Sequence, residues 1–310
     1  MIATKAVLPL KKRRIHKKRL TLTLLTIPFL IHVFMFHYVP LLGWGLAFFN
    51  YKPGISFDKM QFVGLKYFKL ISFYWADVLN ALINTLAMSG LMLLASVVPL
   101  ILAILLTELN SSKLRKLLQT CVTLPNFVSW IIVYALCFNI FAGDGLFNQL
   151  LMGLGLISEP TRLLANPETA WMFMTLLNVW KNSGWNAIVY LAAIAGIDQS
   201  LYEAAKVDGA GRFRCIWHIT LPGLMPTCIV LLLLQVGNLL TVGFDQYFAF
   251  NNPVIANKIE VLDLYTYRVG IGTQDYSFAT AVSIVKSLVS IVLLFSVNGF
   301  AKKVRGESII

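Results

Sequence analysis

Long apolar runs alternate with short charged connectors along this chain. Leu20–Tyr38, Val78–Thr107, Leu117–Gly143, Thr169–Ile197, Ile219–Phe244 and Tyr276–Ala301 together contain two charged residues, Lys181 and Lys286. A helix needs roughly 20 residues to cross the ~30 Å hydrocarbon layer, so the pattern predicts an all-α, polytopic membrane protein with six transmembrane helices. Residues 1–19 then form a basic tail, 20–301 the transmembrane domain with a cytoplasmic loop at 198–222, and 302–310 a second tail.

Composition agrees with that pattern. Of the 310 residues, 58% are apolar and 13% charged, against about 25% charged in soluble domains, which excludes a water-enclosed fold. The net charge of +12 is topological, because Lys and Arg collect in cytoplasmic loops. Eight basic and no acidic residues precede Leu20; Glu108–Lys116 has three and one, and the tail from Lys302 three and one. Asp198–His218 has three of each sign, whereas 39–77, 144–168 and 245–275 together hold seven basic and nine acidic residues. Both termini are therefore expected on the cytoplasmic side of the cell's membrane, with lipid rather than nucleic acid as the surrounding partner. A cleaved signal peptide is the competing reading of the N-terminus, but Pro28, His32 and His37 interrupt its apolar core. The aromatic-rich external segment Pro40–Asp77 suits either the outer headgroup layer or an external protein partner.

Chemistry is sparse. The four cysteines, at 121, 137, 215 and 228, form no C-x-x-C pair, so neither a disulfide framework nor a zinc site is indicated. No G-x-x-x-x-G-K-[ST], H-E-x-x-H or G-x-S-x-G string occurs, so no catalytic residue, metal ligand or resident cofactor is expected and the chain is not read as an enzyme. Transport, channel activity or a scaffold role remains.

The loop between the fourth and fifth runs is unusual. Asp198 can cap a helix through Leu201, Glu203, Ala204, Ala205 and Lys206. Asp208, Gly209, Ala210 and Gly211 then permit a bend, and a second helix enters the fifth run through Ile219, Leu221 and Pro222. The residues alone fit a knob for another protein or an ordinary connector on the inner leaflet. The pattern E-A-A-x3-G-x9-I-x-L-P, carried by Glu203, Ala204, Ala205, Gly209, Ile219, Leu221 and Pro222, resembles the EAA loop of permease subunits of binding-protein-dependent ABC importers. Phe36–Pro40, Asn84–Thr85, Val179–Asn186 and Tyr265–Arg268 are similar to strings of the oligosaccharide branch.

That resemblance implies a type I importer fold with two permease subunits, usually non-identical, two cytoplasmic ATPase subunits and an extracytoplasmic solute-binding protein. ATP and Mg would be bound by the ATPases alone. The helix holding Glu203 to Val207 would be the coupling helix. Sugar, most readily an oligosaccharide, is the implied cargo; a peptide or osmolyte importer, or a stand-alone channel or carrier, are the alternatives.

Span four carries Asn178, Lys181, Asn182, Trp185 and Asn186, spaced i, i+3, i+4, i+7 and i+8 on one face. Span five adds Gln235 and Asn238. Aromatic rings and amides suit sugar stacking and hydroxyl bonding, and the same amides also suit interhelical bonding. Lys181 and Lys286 need a partner or water. Either they face an aqueous cavity and attract an anionic sugar, or they bond backbone carbonyls or a carboxylate of the second permease.

Overall fold

The computed structural model describes the backbone of residues 12–305 and, Phe57 apart, the side chains of residues 21–299. The basic tail Lys5–Arg19 and the tail from Lys302 fall at or beyond those bounds. Fifteen α-helices are described: α1 Lys12–Val33, α2 Lys66–Phe73, α3 Trp75–Ala95, α4 Val97–Thr107, α5 Ser112–Thr123, α6 Trp130–Phe141, α7 Leu146–Gly153, α8 Ala170–Ala195, α9 Gln199–Val207, α10 Arg212–Cys215, α11 Leu221–Gly237, α12 Asp245–Phe250, α13 Ala256–Ile259, α14 Leu262–Tyr267 and α15 Tyr276–Arg305. No strand occurs among the described residues, where a single isolated bridge joins Phe49 to Phe62.

Five continuous helical stretches are long and apolar enough to span a bilayer: Thr21–Phe48, Trp75–Thr107, Trp130–Gly153, Arg212–Gly237 and Tyr276–Gly299. The fourth expected run folds as α8, whose 26 residues suffice in length for a crossing, but its amide-and-lysine centre keeps it out of that apolar set. The expected third crossing is not one helix. α5 stops at Thr123, Leu124–Phe127 is a 3-10 turn, and α6 restarts after Ser129, whose hydroxyl accepts from the Ile132 amide at 3.4 Å. Pro125 explains the stop, since it lacks an N–H and its ring crowds the Cys121 carbonyl. The fifth run is shorter than expected, ending at Gly237 rather than Phe244.

Two other prolines perturb without ending a crossing. Pro99 crowds the Ala95 carbonyl, and the helix breaks at Ser96 between α3 and α4. Pro222 sits one turn above His218, and the backbone answers with a π turn at Ile216–Thr220, where the Leu221 amide bonds the Ile216 carbonyl. Arg212–Gly237 thereby stays continuous.

α8 lies at the centre. It packs along α4 and α11 around buried Ala103, Ala187, Tyr190 and Leu224, and against α5 at Gly184. A Cβ placed on Gly184 would lie 2.0 Å from the Val122 carbonyl oxygen, a distance no side chain tolerates. On the other side, α15 buries Phe278, Ala281 and Val282 against Ala47, Tyr67 and Val78. Part of the aromatic segment Pro40–Asp77 is therefore docked on the protein, whereas Phe62 and Phe73 remain exposed. Segment 245–275 folds back on α3: Asn84 donates to the Asn257 carbonyl at 2.9 Å and the Glu260 carbonyl at 3.1 Å, and Thr85 accepts from the Leu262 amide at 2.9 Å.

Gly184→Ala should force α5 and α8 apart at a backbone contact. We expect a loss of about 2 kcal/mol or more, in the range of overpacked cores, read as a lower unfolding midpoint of the purified protein in detergent. Gly153→Ala, which meets nothing within 4 Å, is the matched control.

Candidate functional site

α9 begins at Asp198, whose carboxylate accepts from the Ser200 amide at 2.9 Å. That bond, with the Ser200 side chain, holds the Asp198 carboxyl below its ordinary range. A depressed folded value means the cap contributes above the unfolded carboxylate range and is lost as pH falls through the depressed value. The helix ends in a Schellman closure, with the Gly209 amide on the Lys206 carbonyl at 3.1 Å and the Ala210 amide on the Ala205 carbonyl at 2.8 Å. Gly209 adopts φ +74°, a left-handed conformation that glycine holds without strain. The bend expected at Gly209 is thus present.

The knob is anchored to its neighbours. The Tyr202 hydroxyl and Thr220 Oγ1 lie 2.9 Å apart, tying α9 to the π turn beneath α11. Arg212 donates to the Asn110 side chain at 2.8 Å, tying the same base to the turn before α5. Glu203, Ala204 and Asp208 are exposed, as are Leu201, Val207 and Phe213, Val207 to 88%. Apolar side chains so placed leave an exposed apolar patch on the knob. Ala205 and Ile219 are half-buried, and Leu221 and Pro222 begin the first turn of α11.

Three of the seven expected path residues share one space. Asn186, Gln235 and Asn238 line a cavity of about 440 Å³ between α4, α8 and α11, together with Ser96, Tyr190 and Cys228. The cavity opens beside two irregularities, the Ser96 break and the end of α11, where the Asn238 side chain donates to the Leu234 carbonyl at 2.9 Å. Amides, a hydroxyl and a phenol against an apolar wall can exchange hydrogen bonds with the hydroxyl groups of a polyol.

The other four lie elsewhere. Asn182 accepts from Asn126 at 3.0 Å and donates to Asn178 at 3.1 Å. Asn178 donates to Gln246 at 3.0 Å, and Gln246 to the Met174 carbonyl at 2.7 Å. One directional amide chain therefore runs from the break above α5 through α8 to α12. Lys181, 6% exposed, donates to the Pro125 and Asn126 carbonyls at 3.2 and 2.7 Å and stands 5.4 Å from the Trp130 ring centre. Trp185 is half exposed and edge-to-face with Phe127, with centroids 5.9 Å apart.

Lys286 departs from both expected alternatives. It pairs with Asp263 of this same chain. No acidic residue lies in the expected spans, but α14 packs against α15 and brings Asp263, counted in an external segment, to the depth of the lysine. Sequence reasoning missed Tyr202, Thr220, Asn126, Gln246 and Asp263. Only Asn126, adjacent to Pro125 in an apolar run, carries a local signal, since a proline frees carbonyls that polar neighbours then serve.

A helical bundle with broken spans, an amide-lined cavity and a glycine-jointed knob has the architecture of a membrane permease. The chain belongs to the binding-protein-dependent transport system inner membrane components, whose family model matches residues 99–306. Protein LplB of Bacillus subtilis (strain 168) is 41% identical over 290 residues, 93% of this chain and 90% of the relative. The polygalacturonan/rhamnogalacturonan transport system permease protein YteP of the same strain is 38% identical, over 93% of this chain and 89% of its own length. Among solved structures, a chain of a bacterial alginate ABC transporter in complex with an alginate pentasaccharide-bound periplasmic protein superposes with a TM-score of 0.82 at 34% identity, covering 94% of this chain and 98% of that one.

Gly209→Val should destabilise the loop through backbone strain alone, because nothing lies within 4 Å of the added Cβ. The expected cost is about 1–3 kcal/mol, read as reduced co-purification of the ATPase at unchanged membrane levels of the permease. Gly209→Asn, which tolerates the left-handed region, should recover part of it.

Proposed function

We propose that this chain is one permease subunit of an ATP-driven importer of oligosaccharides, crossing the membrane six times with both termini in the cytoplasm. α8 supplies the sixth crossing, its polar centre facing protein rather than lipid. The observation that carries the reading is a continuous connection from knob to cavity. α9 joins Thr220 through Tyr202, Thr220 abuts α11, and α11 ends on Gln235 and Asn238 in the cavity wall.

In this mechanism the exposed face of α9, with Glu203 and Val207 outward, seats in a cleft of a separate ATPase that binds ATP and Mg. An exposed carboxylate there finds an Arg or Lys of that partner. Closure of two ATPases draws two such knobs together, and the connection through α11 converts that movement into opening of the cavity outward. Energy enters only through contacts that differ between the two states. A second permease, non-identical in this reading, completes the path, and an extracytoplasmic binding protein delivers the cargo.

Sugar is favoured over a peptide or osmolyte by the cavity's uncharged amides and by relatives whose names specify polygalacturonan, rhamnogalacturonan and alginate. Lys286 is neutralised by Asp263 and Lys181 is consumed by carbonyls, so neither serves the cavity as a free cation. Glu203→Lys should abolish ATP-dependent uptake while leaving membrane insertion intact. Asn238→Leu should leave basal ATP hydrolysis by the reconstituted complex unchanged but reduce its stimulation by loaded binding protein at least about tenfold. A panel of oligosaccharides and peptides in the same ATPase assay tests the cargo class; stimulation by peptides alone refutes the sugar reading.

A further inference from the structure

A second groove, of about 480 Å³, runs along α5. Lys116, Gln119, Thr120 and Thr123 line it, with Phe127 at its upper end and Ile188 of α8 as a wall. Those four polar residues recur at i, i+3, i+4 and i+7, so α5 presents one polar stripe. Leu114, Leu117 and Leu118 are exposed elsewhere on the same helix.

A helix facing hydrocarbon gains nothing from the Lys116 ammonium and the Gln119 carboxamide of that stripe, because both lose hydrogen bonds in lipid. The two threonines are fixed: Thr120 donates to the Lys116 carbonyl at 2.9 Å and Thr123 to the Gln119 carbonyl at 2.7 Å. Their hydrogens are used, and their oxygen lone pairs remain as acceptors for hydroxyl groups. At the upper end, Phe127 is 74% exposed and stands edge-on to Trp185, a corner suited to the C–H face of a pyranose. No acidic residue lines the groove, and neither ion pair among the described residues involves Lys116.

We infer that this groove is a second saccharide-binding segment of the path, on its cytoplasmic half, and that it takes an acidic oligosaccharide whose uronate carboxylate pairs with Lys116. The inference rests on the sugar-import reading above and specifies its substrate class. Hydroxyl acceptors, a carboxamide, an aromatic corner and one unpaired ammonium together match a uronate chain; a lipid tail or an apolar helix would match none of the polar members. The sugar would pass the Phe127–Trp185 corner and leave along α5 towards the basic turn.

The test is thiol protection in the assembled complex. Thr120→Cys is placed in a background with the four native cysteines replaced by Ala, and labelled with a neutral maleimide in inside-out vesicles. Trigalacturonate should slow labelling about tenfold, and neutral maltotriose much less, the gap being that of one charge-assisted hydrogen bond. Lys116→Gln should erase the difference between the two sugars. Equal protection by both sugars overturns the acidic preference. No protection by either, while trigalacturonate still stimulates ATP hydrolysis, places the groove off the path and overturns the inference while the import function stands. Labelling already blocked without sugar shows that lipid or the second permease covers the groove, which also overturns it. If neither trisaccharide stimulates hydrolysis or alters labelling, the acidic class is wrong and the inference falls, while the wider panel decides the sugar reading separately.

Discussion

Backbone groups released inside a membrane have no water to bond, and much of this structure follows from meeting that demand. Pro125 interrupts the helix that would have joined α5 to α6 and leaves a short turn whose carbonyls point out of any continuous ladder. Lys181 donates to two of them, Pro125 and Asn126, at 3.2 and 2.7 Å, the first shared with the Val128 amide. A buried lysine with no carboxylate is otherwise costly, by about 3 kcal/mol at mid-bilayer on insertion scales. Each defect thus removes the other's cost, and the arrangement fixes where α8 must lie, because only there does its side chain reach the break.

The amide chain extends the same logic. Each carboxamide has donors and an acceptor, so Asn126, Asn182, Asn178 and Gln246 can bond in series without a charge. Interhelical bonds of this kind contribute only about 0.6 kcal/mol each in membranes, too little to explain the bundle's stability. Their value is geometric: they set α12 and the broken span in register on α8, while the close approach at Gly184 fixes the distance. The cavity and the α5 groove then both take part of their walls from this well-defined central helix.

How far the sequence foretold this depends on the range of the interaction. Charge-free runs reported all-helical membrane architecture because the bilayer thickness acts on contiguous residues. The bend at Gly209 was legible for the same reason, since one positive φ and the carbonyls it serves lie within six residues. The stripe on α8 was legible as a face but not as a function. Its members part company at the helix break, with Asn186 joining the cavity while Asn182 and Lys181 turn to Asn126, 55 or 56 residues away. Lys286 was misread because its acid, Asp263, belongs to a segment that sequence alone assigns to the exterior. The family model covers residues 99–306, which includes the Gly209 bend, the α8 stripe and the Asp263–Lys286 pair.

The Asp263–Lys286 pair bears on how the protein is built. Synthesis proceeds from the N-terminus, so the carboxylate leaves the ribosome 23 residues ahead of the ammonium. When the last helix partitions into lipid, its counter-ion is already present on the preceding short helix, and the two can enter as a hairpin with little net charge. Neutral burial of the Lys286 ammonium is thereby tied to correct placement of α14, the short helix that carries its partner.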